Sequence, residues 1–477
     1  MGILDILGIV AVFAIVLYIG WSATKKTQSA DDFLMANRSL GKIQAGFSMA
    51  ATDMGGNAVV GAVAYAYAVG MGGAWYNWGA VIPMFLLGVV LAKKLRTLPI
   101  SSIPELLGKR YHTSARLISV IAQLLAIGAT LGIQFTISAS VISTISGINY
   151  ELALIASVVV VVLYTVGGGL LAVVNTDVFQ FIVIVLSVVL VIPFALHAAG
   201  GYTELMGQIP EGYMDLGSQG VLAPLSLGLL YMFDYATNQH ILQRIFAAKD
   251  SSTAKFAYKF SGVTYLIFGL LVAFIGVLAY GIFPDLDNAD MAYAALIKDV
   301  LPGGIAGIAL GGIFAATMST ADSKIMASSQ LFVNDIIEPY VLRGKKLEDQ
   351  QVLKISRIVT IAICVFGIGI SLISDSIVQL MYVGGLFYGT AVFVPMIFAL
   401  FWKRGTAAGA LCAILASIGV GLFSEYYLSS HAQGILAMPS NLMAALTGLI
   451  VFVAVSLLTP PPAKEKLEVL KENARES

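Results

Sequence analysis

Thirteen stretches of this chain are each long and apolar enough to cross a lipid bilayer: 2–22, 43–71, 74–95, 117–146, 151–172, 174–198, 222–247, 259–283, 303–336, 355–374, 376–401, 405–427 and 438–458. A helical crossing needs about 20 predominantly apolar residues. Inside lipid every backbone polar group must find a partner within the protein, so the pattern restricts the chain to a bundle of membrane helices. Composition agrees, with 58% hydrophobic and 11% charged residues, where a soluble chain carries about 25% charged. The net charge of +0 gives no electrostatic footprint for nucleic acid. Cys364 and Cys412 sit in apolar runs without a CxxC, so neither a disulfide framework nor a zinc site is expected. The N-terminal stretch reads as a retained first span, because Asp5 stands where a cleaved leader would be basic and Lys25 and Lys26 follow it.

The charges sort by loop. Of the 27 Lys and Arg residues, 25 fall in alternate connections, in groups that begin at Lys25, Lys93, Arg244, Arg343, Lys403 and Lys464. Lys298 alone lies on the other side and Lys324 lies within a span. The excess of basic residues on cytoplasmic loops predicts an outside N-terminus and a cytoplasmic C-terminus in the cell membrane. The opposite loops carry Glu204, Glu211, Asp215, Asp285, Asp287 and Asp290, which solvation explains. The organisation expected is a first helix and cytoplasmic loop (1–42), a five-span block (43–198), an extracellular loop (199–221), a second five-span block (222–401), two further helices (402–458) and a cytoplasmic tail (459–477).

Three spans carry polar interruptions at membrane depth. The second span reads SMAATDMGGNAVVGA, where Asp53 precedes Gly55, Gly56 and Asn57. Adjacent glycines make a helix easy to unwind, and unwound backbone at this depth is tolerated only against protein or a wet cavity. The seventh span reads YMFDYATNQHILQR, from Tyr231 to Arg244, and the ninth carries ATMSTADSKIMASSQ, from Ala316 to Gln330. The first two interruptions open the two five-span blocks. An odd-numbered block inverts its successor, and matching breaks in inverted blocks point to an alternating-access transporter with its site at the midplane.

In the ninth span, Ser319 and Thr320 offer adjacent hydroxyls to a hard, oxygen-seeking cation, the preference extended here from calcium and magnesium to sodium. Back-bonding to carbonyls one turn earlier is the competing reading. Asp322 shares a helix face with Ser319, and an intramembrane carboxylate is functional by default, its partner being a cation, a proton or Lys324. Lys324 points to another face, with Asp177, Asp53 or the cytoplasmic end of its span within reach.

Four stretches resemble the sodium/solute symporters that include the proline, pantothenate, sialic acid, sugar and choline carriers: AATDMGGN (50–57), VGGGLLAVVNTDVFQ (166–180), AATMSTADSKIMASSQLFVNDI (315–336) and FWKRGTAAGA (401–410). The resemblance spans nearly the whole chain. It implies an all-α membrane protein with a LeuT-type core of two inverted five-helix repeats, one helix before and two after. It also implies a sodium site on the carbonyls of Ala51, Met54 and Ala316 and the hydroxyls of Ser319 and Thr320. Asp53 matches a carboxylate that proline carriers need for coupling. Asp177 matches a position that joins serines of the sodium-site helix in a second cation site, to which this chain would bring Ser319, Asp322 and Ser323. Members with a clear second site have serine where Asp322 stands.

The expected function is sodium-coupled import of a small organic solute, an organic acid or amino acid, with a monomer sufficient in the bilayer and no organic cofactor. Candidate solute contacts are Gly55, Gly56, Asn57, Trp75, Gln134, Phe233 and Asn238. Trp75 also reads as an interfacial anchor and Gln134 as a helix-to-helix hydrogen-bonding residue. A quaternary ammonium is bound through aromatic rings, and no tryptophan lies in the seventh span. A proton-coupled symporter using the buried carboxylates is the rival. An ion channel is remote, since no filter motif is present. An enzyme is not expected, since HExxH and GxSxG are absent and the four histidines are scattered.

Overall fold

A computed structural model describes residues 2–24, 29–345, 347–372, 384–428, 431 and 438–468. The principal helices are α1 (Ile3–Thr24), α2 (Lys42–Asp53), α3 (Ala62–Val69), α4 (Val81–Val90), α5 (Thr113–Ser146), α6 (Tyr150–Ala198), α7 (Leu222–Thr237), α8 (Gln239–Ala247) and α9 (Ser251–Ile282). They continue with α10 (Ile305–Phe332), α11 (Asp349–Ser371), α12 (Ala391–Phe401), α13 (Ala407–Phe423) and α14 (Ser440–Leu458). Among the described residues nine helices are long and apolar enough to cross a membrane, with shorter apolar helices at Tyr150–Val159 and Leu386–Phe401. Residues 376–383 of the eleventh predicted span and 469–477 of the tail lie outside the described residues.

Local chemistry sets the helix ends. Asp250 accepts the Thr253 N–H at 2.7 Å before α9, and Asn149 accepts that of Leu152 at 2.9 Å before α6, each satisfying a donor that the first turn leaves free. The fifth and sixth predicted spans form one element that leaves helical geometry at Gly169 (φ 63, ψ −174), one of the glycines of TVGGGL (165–170) whose turn chemistry marks the link between those spans. That φ favours glycine, and a Cβ there would sit 2.8 Å from the Phe33 ring.

Two interruptions are real breaks and the third is not. α2 ends at Asp53, and the chain resumes as a π-helical turn over Asn57–Gly61 that runs into α3. α7 and α8 are separated by Asn238 alone, in extended geometry (φ −71, ψ 128). α10 runs unbroken through its polar stretch. There the Ser319 and Thr320 hydroxyls lie 3.1 and 3.2 Å from the Ala316 carbonyl, and Ser328 donates to the Lys324 carbonyl at 2.8 Å. Back-bonding of this kind keeps the hydroxyls satisfied inside an intact helix.

α10 is the axis of the molecule, with every residue from Ala309 to Leu331 buried. It packs against α6, α1, α5 and α11 and against both broken helices. α1 and α14 instead present exposed leucine, isoleucine and valine, the surface expected of helices facing lipid tails.

The loops gather into two opposed sets. At one end Arg96 donates to the carbonyls of Ala248 and Lys249 (2.5 and 3.2 Å), Arg110 to that of Lys403 (3.0 Å) and Arg404 to that of Thr459 (2.7 Å), while Arg116 pairs with Asp335 at 2.7 Å. At the other end Met71 bonds the Tyr213 carbonyl (2.8 Å), Tyr67 contacts Phe283 (2.6 Å) and Asp5 accepts from Gly304 (2.8 Å). The basic connections thus lie at one end, and the first turn of α1 lies at the opposite one. Arg244 is the exception, for it is fully buried inside α8 rather than in a loop.

Candidate functional site

Breaking α2 frees backbone groups in the middle of the bundle, and several of them meet side chains of neighbouring helices. Tyr265 donates to the Asp53 carbonyl at 2.7 Å, and the Gly56 N–H donates to Gln134 Oε1 at 2.9 Å. Ser319 Oγ reaches the Ala51 carbonyl at 2.9 Å and Thr320 Oγ1 the Thr52 carbonyl at 2.7 Å. The oxygens of Ala51, Thr52, Ala316, Ser319 and Thr320 therefore converge between α2 and α10. An all-oxygen cluster with no formal charge suits a hard monovalent cation. Four of these residues are the ones predicted. The Thr52 carbonyl was not singled out, because no sequence pattern marks which carbonyls a break will release. Met54 sits where α2 comes apart (φ −72, ψ 45).

Gly55 belongs to this cluster through its lack of a side chain. A Cβ there would lie 2.3 Å from Thr320 Oγ1, and one at Gly56 would lie 2.6 Å from Thr317 Cγ2. Both glycines let α10 approach the break. Gln134 also bonds Asn57 Oδ1 at 3.3 Å and so closes the break from α5, the helix-to-helix role considered for it.

A second cluster lies beside the first. Asp177 Oδ2 accepts from Ser48 at 2.6 Å and from Thr52 at 3.4 Å, and it pairs with Arg244 at 3.0 Å, both side chains being fully buried. The Arg244 guanidinium also donates to Ser48 Oγ (3.0 Å), to the His240 carbonyl (2.7 Å) and to Ser323 Oγ. Ser323 lies 2.9 Å from Thr52 Oγ1 and donates to Asp322 Oδ1 at 3.3 Å. Asp177, Asp322 and Ser323 are thus brought together as predicted, around a fixed cation of the protein itself. Arg244 was missed because it looked like one more basic residue at the end of a span.

A cavity of about 80 Å³ opens between the two broken helices. Asp53, Asn57, Gln134, Asp234, Asn238 and Lys324 contribute to its wall, with Tyr231, Tyr235 and Tyr265 as its aromatic surface. Asn238 donates to Asp234 Oδ1 and accepts from Gln123 at 3.4 Å. Asp53 therefore parts company with Asp177 and Asp322. Lys324 donates to Thr130 Oγ1 at 2.9 Å. It does not reach Asp177, whose charge Arg244 already meets.

Four of the seven predicted solute contacts lie off the cavity wall: Gly55 and Gly56 face α10, and two aromatic residues lie elsewhere. Trp75 donates its ring N–H to the Leu216 carbonyl at 2.9 Å and stacks edge-on against Trp78, outside the cavity wall. Phe233 is turned toward Phe393, with ring centroids 4.8 Å apart. Phe233 stands shortly before the break at Asn238 but on another face of α7, whereas Trp75 lies beyond α3, well past the break after Asp53.

Comparison with known proteins accords with this geometry. Residues 33–417 match the model of the sodium:solute symporter family. The chain is 27% identical to the osmoregulated proline transporter OpuE of Bacillus subtilis, over 95% of this chain and 94% of that one. It is 25% identical to a sodium/glucose cotransporter of Vibrio parahaemolyticus (89% and 85% covered) and 24% identical to a sodium/proline symporter of Salmonella typhimurium (87% of each). The fold matches a substrate-bound, outward-open Na+-coupled sialic acid symporter with a TM-score of 0.85, at 20% identity over 97% of this chain and 99% of that one. It matches the nucleobase-cation symporter Mhp1 with a TM-score of 0.60, at 12% identity over 92% and 97%. The architecture is all-α and LeuT-type, and the chain belongs to the sodium:solute symporter family, whose members are multi-pass membrane transporters.

Proposed function

We propose that this protein imports a small organic solute, an organic acid or amino acid, across the cell membrane by alternating access, drawing the work from sodium. The observation that carries the reading is the convergence of the Ser319 and Thr320 hydroxyls on the carbonyls freed at the break of α2, beside a polar cavity. Sodium bound there would hold α10 to α2, and its departure would let the two blocks, 43–198 and 222–401, move against each other. A monomer suffices, since both clusters and the cavity are built within one chain. The N-terminus is outside and the basic end faces the cytoplasm.

The energetics are adequate. One charge moving through about 150 mV, at about 2.3 kcal/mol per 100 mV, together with a tenfold sodium gradient, supplies roughly 5 kcal/mol. That sustains a solute gradient on the order of 10³.

The test replaces Ser319 and Thr320 singly by alanine in vesicles energised by sodium or by protons. Each loss of a hydroxyl from a bound cation should cost about 1.5–3 kcal/mol. The half-saturating sodium concentration should then rise about 10- to 100-fold. Uptake that is indifferent to both substitutions, driven by protons and abolished by Asp322→Asn, would replace this reading with proton coupling.

A further inference from the structure

Among the described residues Lys324 is the one lysine or arginine on the cavity wall, and the sodium reading leaves it without a task. It is buried, and its ammonium has three donors, of which one goes to Thr130 Oγ1 at 2.9 Å. Among the described residues no carboxylate oxygen lies within 4.0 Å of its nitrogen. Thr130 is itself tied back to its own helix, 3.0 Å from the Ala126 carbonyl, so it cannot follow the lysine. Across the same cavity Asp53 is 92% buried, with 8% of its surface exposed, and its Oδ2 has no hydrogen-bond partner. A second carboxylate, Asp234, shares the wall and holds Asn238. A buried charge without a partner is costly. Among the described residues the opposite charges of this cavity thus face one another across it without direct contact.

We propose that Lys324 anchors the carboxylate of the solute and that the solute is a small zwitterionic amino acid, its ammonium directed to Asp53. The inference rests on the solute-import reading above and narrows it. The alternatives fail on charge. A neutral sugar can hydrogen-bond both groups but neutralises neither. A monocation can meet Asp53 but stands against Lys324. A simple organic acid meets Lys324 but faces two carboxylates. A zwitterion meets both. Size is compatible: one water needs about 10–15 Å³ of such a cavity, so 80 Å³ holds about five to eight waters, room enough for alanine or proline.

The proposal is tested on purified full-length protein in detergent by thermal unfolding, where a ligand of the folded state raises the midpoint by mass action. L-alanine and L-proline are compared in sodium with their amides, their methyl esters, the amines lacking the carboxylate and the acids lacking the amine. The amino acids should stabilise, and every analogue lacking either charge should bind about 10- to 100-fold more weakly. Lys324→Met should erase the preference for the free acid over its amide, and Lys324→Arg should restore part of it. Amides that bind as well as the acids would overturn the anchor. So would stabilisation by sugars or organic acids with none by any amino acid. The wild-type series decides the matter even if the methionine variant fails to fold. The sodium shift without solute is read separately: its absence would sink the coupling reading and leave the analogue ranking to stand or fall alone.

Discussion

At the scale of single residues, Arg244 decides how the charge cluster behaves. Its guanidinium lies 3.0 Å from Asp177 and donates to Ser48 and Ser323, so it fills the position that a second cation would need. Two consequences follow. Uptake should depend hyperbolically on sodium, without the sigmoid of two cooperating ions. Removing one partner of a fully buried pair strands the other in low dielectric, at about 3–5 kcal/mol. Arg244→Ala should therefore lower the unfolding midpoint sharply, while Arg244→Gln combined with Asp177→Asn should recover much of the loss, as neutral partners leave no orphan charge. A sigmoidal sodium dependence in the wild type, or an alanine variant as stable as wild type, would show that the guanidinium does not take that place.

At the scale of elements, the proposed sodium site depends on a broken helix and an unbroken one lying in contact. The polar stretch of α10 keeps its helix because its hydroxyls can bond backward, whereas the glycines of the second span cannot support theirs. Polarity announced both sites in the sequence, and adjacent glycines marked the break in the second span, whereas the break at Asn238 has no glycine to mark it. Gly55 also sets the separation of the two elements. The 2.3 Å from an added Cβ to Thr320 Oγ1 is too close for any side chain, and α2 or α10 would have to shift. Gly55→Ala should thus abolish sodium-dependent uptake and the sodium-induced rise in unfolding midpoint. Gly207→Ala, where a Cβ meets nothing within 4 Å, should leave both intact. Sodium binding preserved in Gly55→Ala would mean that the cation does not sit between these helices.

At the scale of the whole molecule, the thirteen apolar stretches were legible because the bilayer imposes a length, and the loop sets because charge is sorted between its faces. What the sequence concealed are pairings across large separations. Asp177 and Arg244 stand 67 residues apart and meet only because α6 and α8 both pack against α2 and α10. Trp75 is drawn out of the cavity by a loop carbonyl 141 residues further on. The contacts between loops make the orientation a question about one rigid end of the molecule rather than six independent segments. Asp287 is exposed in the acidic loop after α9, and Lys345 is exposed in the basic loop before α11. In a variant with Cys364 and Cys412 replaced by serine, a membrane-impermeant maleimide applied to right-side-out vesicles should label Asp287→Cys and spare Lys345→Cys until the membrane is opened. Because Arg96, Arg110, Arg116 and Arg404 tie the basic connections to one another, inversion of one site requires inversion of all. Labelling of Lys345→Cys in sealed vesicles would therefore place the whole basic end outside, and the direction of coupled transport would have to be reconsidered with it.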